Sequence, residues 1–293
     1  MYQLVYGIFY LVSLLPWRII YLISDFAYFL LYYVFGYRKD VVMNNLLTAF
    51  PEKTEQERKH IAKQFYKQFA DNFIEVLKLI SISKKELQRR FTGNFELMDQ
   101  LYDTGINVQL HLGHFFNWEF ANLVASSHSV YPFLVVYMPI KNKVFNRLFM
   151  KIRSRFGSVL LPATDFTAQF IPYSKGRWAL ALVGDQNPGN PDKAYWAPFF
   201  NKLTPIVKGP EKGARVNRTA VVMCKFYPVK RGHYVINFEL LTMHARELPD
   251  GEITKRMLMY IEEAIRQNPS CYLWTHKRWK WQFDEEKHRR LVI

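Results

Sequence analysis

Cysteine is nearly absent: Cys224 and Cys271 are the only two in 293 residues. Two cysteines build no disulfide framework, and these two match no zinc pattern. Cys224 lies in an apolar, strand-like run and reads as a small buried residue, and the composition fits a reducing compartment. Acidic residues are scarce, with 25 Asp and Glu against 40 Lys and Arg, a formal charge of +15 and a pI near 9.6. That balance is silent on fold but narrows the partners to nucleic acid, an anionic membrane surface, or an acidic protein or substrate. There is no internal repeat and no low-complexity linker, which favours one catalytic domain. No small-residue cleavage site follows the apolar N-terminus, which argues against a removable signal peptide. No uninterrupted apolar run of about 20 residues, the length of a clean spanning helix, occurs there either, because Pro16-Trp17-Arg18 breaks it.

Apolar and aromatic residues are abundant, at 49% and 17%, and supply ample material for a core. Residues 1–37 are almost wholly apolar or aromatic, and Arg18 and Asp25 are their only charged side chains. Tyr and Trp residues recur from Tyr2 to Tyr37, and their rings suit the membrane interface. The segment reads as a retained anchor, either one kinked span or a pair of helices in one leaflet; a buried core hairpin is the alternative. Arg38 and Lys39 follow directly, as expected if this end faces the cytoplasm.

Residues 38–293 read as one domain. A helical lead-in covers 52–91, with capping boxes at Thr54–Glu57 and Ser83–Glu86. Ile61, Phe65, Phe69, Phe73 and Leu77 form a stripe on the first of these helices. From 95 to 293 strands and helices alternate. Strands are predicted at 107–112, 131–138, 158–161, 178–183, 219–227 and 234–241, with helices at 96–102, 117–126, 143–156, 165–172 and 252–267. This is an α/β pattern with a mixed sheet flanked by helices.

One stretch stands out for chemistry: His114-Phe115-Phe116-Asn117-Trp118-Glu119, where a strand-like run turns into a helix-like one. A histidine that takes a proton from an alcohol needs a group to fix its tautomer, and a nearby carboxylate does this. The plain alternative makes Asn117 a helix cap, Glu119 a complement to the helix dipole and His114 a loop residue. A metal reading of His111, His114 and Glu119 lacks the spacing of the usual zinc motif. Val183 to Gly189, with Asp185 and Gln186, ends a strand in a polar turn. Ligands bind beyond such ends, although the residues are also ordinary turn formers. Lys151 to Arg155 closes a helix with cations, either complementing its dipole or contacting an anion. Tyr272 to Trp281 interleaves basic and aromatic residues. That suits lipid headgroups, single-stranded nucleic acid or a packed tail; the membrane-like N-terminus argues against nucleic acid.

In this order the segments resemble the bacterial lipid A biosynthesis acyltransferases, the late lauroyl/myristoyl transferases within the wider group with a His-x4-Asp/Glu motif. The resemblance covers nearly the whole chain. It runs through His114 and Glu119, Tyr137-x-Pro139-x-x-Asn142, Arg153 and Arg155, and Asp185-Gln186. It continues through Pro198-Phe199-Phe200 with Thr204, and Tyr272-Leu273-Trp274-x-His276-x-Arg278-x-Lys280. One departure is Met138, where the family usually has arginine. The resemblance implies a glycerol-phosphate-acyltransferase-like fold and transfer of an acyl chain from acyl carrier protein to a hydroxyl of a membrane glycolipid. It implies His114 as the base and Glu119 as its orienting partner. Asn117, Arg153, Arg155, Asp185, Gln186, His276 and Arg278 fall on the substrate-binding side, and no metal or cofactor is implied. The enzyme would work on the anionic cytoplasmic face of the inner membrane, without nucleic acid. Met138 leaves room for another acceptor, such as a lysophospholipid, an aminolipid or a mannosylated lipid. A non-catalytic lipid-binding protein and a metal-dependent hydrolase are the rivals from other classes.

Overall fold

A computed structural model describes residues 1–293. Its helices are α1 (Tyr2–Leu14), α2 (Trp17–Phe29), α3 (Lys39–Ala49), α4 (Glu55–Lys78), α5 (Lys84–Arg90), α6 (Glu96–Asp103), α7 (Trp118–His128), α8 (Lys143–Arg153), α9 (Phe166–Phe170), α10 (Gly209–Asn217), α11 (Glu252–Gln267) and α12 (Glu285–His288). The strands are β1 (Phe91–Gly93), β2 (Val108–Leu112), β3 (Phe133–Tyr137), β4 (Val159–Pro162), β5 (Ala179–Val183), β6 (Tyr195–Phe199), β7 (Lys202–Ile206), β8 (Ala220–Lys230) and β9 (His233–Thr242).

Seven strands form one mixed sheet in the order β1-β9-β8-β2-β5-β3-β4, with β6 and β7 as a separate hairpin. Only the β8–β9 pair is antiparallel; the other neighbours in the large sheet run parallel. β2 lies near the centre, and all five of its residues are buried, as expected of a strand covered on both faces. The alternation of the strand sends Leu110 and Leu112 to one face and Gln109 and His111 to the other.

The strands and helices predicted from 107 to 267 are present, with shifted ends. Residues 165–172 form a short α-helix flanked by 3-10 turns instead of one helix, and α8 stops at Arg153 instead of 156. β1, the β6–β7 hairpin, α3 and α10 were not predicted. β1 has three residues, Pro198 and Pro205 mask the hairpin, and Gly209-Pro210 and Gly213 weaken the helical signal of α10.

Thr54 and Glu57 form a reciprocal capping box at the start of α4. Ser83 caps α5 by accepting from the Glu86 N–H, but the Glu86 carboxylate turns to Arg89 and Arg90. The apolar stripe of α4 holds through Ile61, Phe65 and Phe69, whereas Phe73 is exposed. A four-residue step advances about 40° beyond a full turn, so the stripe drifts off the core. One continuous core joins α3 and α4 to the sheet through Leu46, Phe65, Phe116, Phe120 and Val222.

The N-terminal helices lie along this body. The Lys78 Nζ donates to the carbonyls of Ser13 and Leu15 at 2.6 and 2.7 Å. The Ser24 hydroxyl donates to Asp71 at 2.6 Å, and Arg231 bridges Asp25 and Asp71 at 2.7 and 2.6 Å. The outward faces carry Leu4, Ile8 and Leu11 on α1 and Leu22, Phe26 and Phe29 on α2, all exposed. Their spacing of three and four residues makes one apolar stripe per helix. The segment is therefore not a buried core hairpin. Trp17–Val34, which includes a π-helical turn at Leu30–Val34, is long and apolar enough to cross a bilayer, yet its inner face is pinned by polar contacts.

Candidate active site

His114 stands two residues beyond the end of β2, and Asp185 two residues beyond the end of β5. These strands pair Leu112 with Val183, and the Gly184 N–H donates to the Leu112 carbonyl at 3.2 Å. The register alone thus brings His114 beside Asp185. Gly113 permits the close turn: a Cβ there would meet Ile261 at 3.1 Å and the Phe115 ring at 3.2 Å.

The His114 Nδ1 lies 2.5 Å from Asp185 Oδ1, and the His114 backbone N–H donates to Oδ2 at 3.1 Å. Asp185 is fully buried. Burial pushes its carboxyl up, but the His114 charge and hydrogen bonds outweigh that and hold it at about 2. An ionised Asp185 requires a proton on Nδ1, which leaves Nε2 as the basic nitrogen.

Glu119 does not make the hydrogen bond to His114 that the motif predicted. It sits in the first turn of α7, 3% exposed, and the Arg153 guanidinium grips it. Nε lies 2.9 Å from Oε2, and Nη2 lies 2.5 Å from Oε1. The Trp118 indole adds a donor at 3.2 Å. The motif's helix start points the carboxylate toward the end of α8, while the histidine stays with the strand ends.

A cavity of about 500 Å³ opens beside these groups. His114, Trp118, Glu119, Arg153, Gln186 and Met138 line it, and its inner part is Leu110, Ala121, Ala125, Phe133, Ala181 and Phe238. It runs between α7 and one face of the sheet. His111 is on the other face, where its Nε2 pairs with the Gln109 side-chain amide at 2.9 Å, and burial holds its pKa down at about 4. The three residues of the metal reading are therefore not brought together.

A sequence model of the family described as bacterial lipid A biosynthesis acyltransferase matches residues 1–281. The chain belongs to this family. A lipid A biosynthesis acyltransferase of Haemophilus influenzae is 24% identical over 234 residues, covering 78% of this chain and 72% of that protein. Lipid A biosynthesis acyltransferase 2 of Shigella flexneri is 22% identical over 246 residues, covering 80% of this chain and 74% of that protein.

In this lipid A acyltransferase family member the other predicted residues divide into two groups. Arg153, Asp185 and Gln186 join His114 and Glu119 at or directly behind the cavity wall. Asn117, Arg155, His276 and Arg278 do not line it. Asn117 is fully buried and caps α7, accepting from the Phe120 N–H at 3.3 Å. Arg155 donates to the carbonyls of Leu79 and Ile82. Arg278, 1% exposed, donates to Asn187 and Pro205, and His276 Nε2 accepts the Asn187 N–H at 3.2 Å. Burial, then the Arg278 charge, lowers the His276 pKa to about 4. These residues brace the turn that carries Asp185. Asn45 in turn holds their segment, donating to the carbonyls of Trp274 and His276 at 2.8 and 2.7 Å. The polar contacts of these four in the structure are made within the protein. Tyr272, whose hydroxyl helps to hold the Asp185 carboxyl low, stands in the sequence only as part of its motif, and nothing in the spacing ties it to Asp185.

Proposed function

We propose that this protein is an O-acyltransferase that moves a fatty acyl chain from an acyl carrier protein thioester to a hydroxyl of a membrane glycolipid, a lipid A precursor. The observation that carries this reading is the His114–Asp185 pair at the mouth of an apolar cavity. His114 Nε2 takes the hydroxyl proton as the oxygen attacks the thioester carbonyl. Asp185 fixes the ring and stabilises the imidazolium. The tetrahedral intermediate collapses, the C–S bond breaks, and the imidazolium returns its proton to the departing thiolate. Arg153, held by Glu119 through Nε and Nη2, keeps Nη1 as a fixed donor on the cavity wall for the anionic parts of donor or acceptor. The apolar depth of the cavity suits the acyl chain. A charge of +15 suits an acidic carrier and anionic headgroups, with nucleic acid having no part.

Met138, 67% exposed at the cavity, favours a second reading: the same chemistry on another lipid acceptor, with an anion contact removed. Mass spectrometry of lipid extracts separates the two. Cells lacking the gene are expected to lose one acyl chain from lipid A, restored by the wild type and not by His114→Ala. An unchanged lipid A would sink the glycolipid assignment, and the other lipids of the same extract would name the acceptor.

We propose that the anchor is a helix pair lying in the cytoplasmic leaflet of the inner membrane. Its inner face is pinned to α4 and Arg231, and its outer apolar stripes face lipid. Gln3→Cys, Arg18→Cys and Phe35→Cys, all at exposed positions, are then expected to resist a membrane-impermeant thiol reagent added from the periplasm, and to react after permeabilisation. The native cysteines are both buried. Labelling of any one of the three from outside would mean that the segment crosses the membrane.

A further inference from the structure

Glu75 is a buried carboxylate to which the reaction assigns no part. It is fully buried on α4 and outside the cavity lining. Its Oε1 accepts from the Tyr21 hydroxyl at 3.0 Å. Its Oε2 accepts from the Tyr234 hydroxyl at 2.7 Å and from the Asn117 Nδ2 at 3.1 Å. The three donors come from α2, β9 and the loop after His114. No cation pairs with it, since the nearby Arg231 is taken by Asp25 and Asp71. Burial pushes its pKa up to about 7, only partly offset by these hydrogen bonds. A buried acid without a counter-ion is unfavourable, and an apolar residue would suit the same face. What it provides is geometry: Asn117 is held at both ends, Nδ2 on Glu75 and Oδ1 on the Phe120 N–H.

We infer that Glu75 is a positioning residue for acyl transfer, fixing Asn117, and through it the loop from His114 to Glu119, to the membrane-facing helix α2. The inference rests on the acyl-transfer reading of His114.

The test uses full-length enzyme in vesicles, acyl carrier protein loaded with a saturated fatty acid, and a lipid A precursor. Glu75→Ala is expected to lower kcat by about 10- to 100-fold, with the donor KM changed less than about threefold, the scale of a small misplacement of reacting groups. Amide hydrogen exchange at Phe116–Phe120 rises with it. Glu75→Gln keeps an oxygen toward Tyr234 and Asn117 and an amide toward Tyr21, so it restores both readouts. Asn117→Ser keeps a helix cap but loses the reach to Glu75, and reproduces the alanine effect even if Glu75→Ala does not fold. Wild-type kcat in folded Glu75→Ala or in Asn117→Ser overturns the inference, as does a kcat loss with unchanged exchange. If His114→Ala still transfers acyl chains, the reading of the site falls, while hydrogen exchange still decides whether Glu75 fixes the loop.

Discussion

Asp185→Asn is expected to lower the rate of acyl transfer by about 10³- to 10⁴-fold, the scale seen when the carboxylate behind a catalytic histidine becomes an amide. The geometry explains why so small a change is so damaging. Two donors of one residue converge on Asp185, the His114 ring at 2.5 Å and the His114 backbone N–H at 3.1 Å. A carboxylate accepts both. An amide has one oxygen; if that serves the backbone N–H, its NH₂ faces Nδ1 and demands a lone pair there. The proton then sits on Nε2, which can no longer accept one from an alcohol. Single-turnover kinetics with purified variants check this, alongside His114→Ala. The double variant should be no slower than the worse single one, because groups acting as a unit are not additive. An asparagine variant retaining a tenth of wild-type rate would remove Asp185 as the group that sets the His114 tautomer. The pH dependence adds a constraint. The Asp185 carboxyl is lowered to about 2 in the folded protein from an ordinary 3.8. Its stabilising contribution is therefore present above the ordinary value and is lost only as the pH falls through about 2. Activity lost between pH 5 and 7 would not come from Asp185.

The strand-to-helix turn at His114 was legible because period-two and period-3.6 patterns meet there, and because ligands favour the ends of strands. The identity of its partner was not. Spacing offered Glu119, five residues away in sequence; the fold supplied Asp185, 71 residues away. That pairing is set by the β2–β5 register, and register is a property of two strands that neither one encodes alone. The internal contacts of Arg155, His276 and Arg278 are hidden in the sequence for a related reason. Charge in sequence suggests a ligand, yet buried loops must satisfy their carbonyls, and Leu79, Ile82 and Pro205 take up the two guanidinium groups. Glu75 left no signal, since one acid on an amphipathic helix looks like any solvated position until the other elements close over it.

Arg153→Met is expected to destabilise the enzyme by about 3–5 kcal/mol, the cost of stranding one partner of a buried ion pair, and to abolish transfer. Glu119 is 3% exposed and relies on Arg153 for its close contacts besides the Trp118 indole. Without the guanidinium a charge stays in the cavity wall with little to offset it. Thermal unfolding should show the loss as a midpoint lower by roughly 10 °C. Arg153→Lys should fall between, because an ammonium cannot reproduce the two-point grip. The informative variant is the double one, Arg153→Met with Glu119→Leu. Replacing a buried pair by apolar groups is often neutral or stabilising, so much of the midpoint should return. If transfer returns with it, the pair is a structural clasp and the charge on the cavity wall plays no part in the reaction. If stability returns and transfer does not, the guanidinium acts on the substrate, and Glu119 serves the reaction by aiming Arg153 rather than His114.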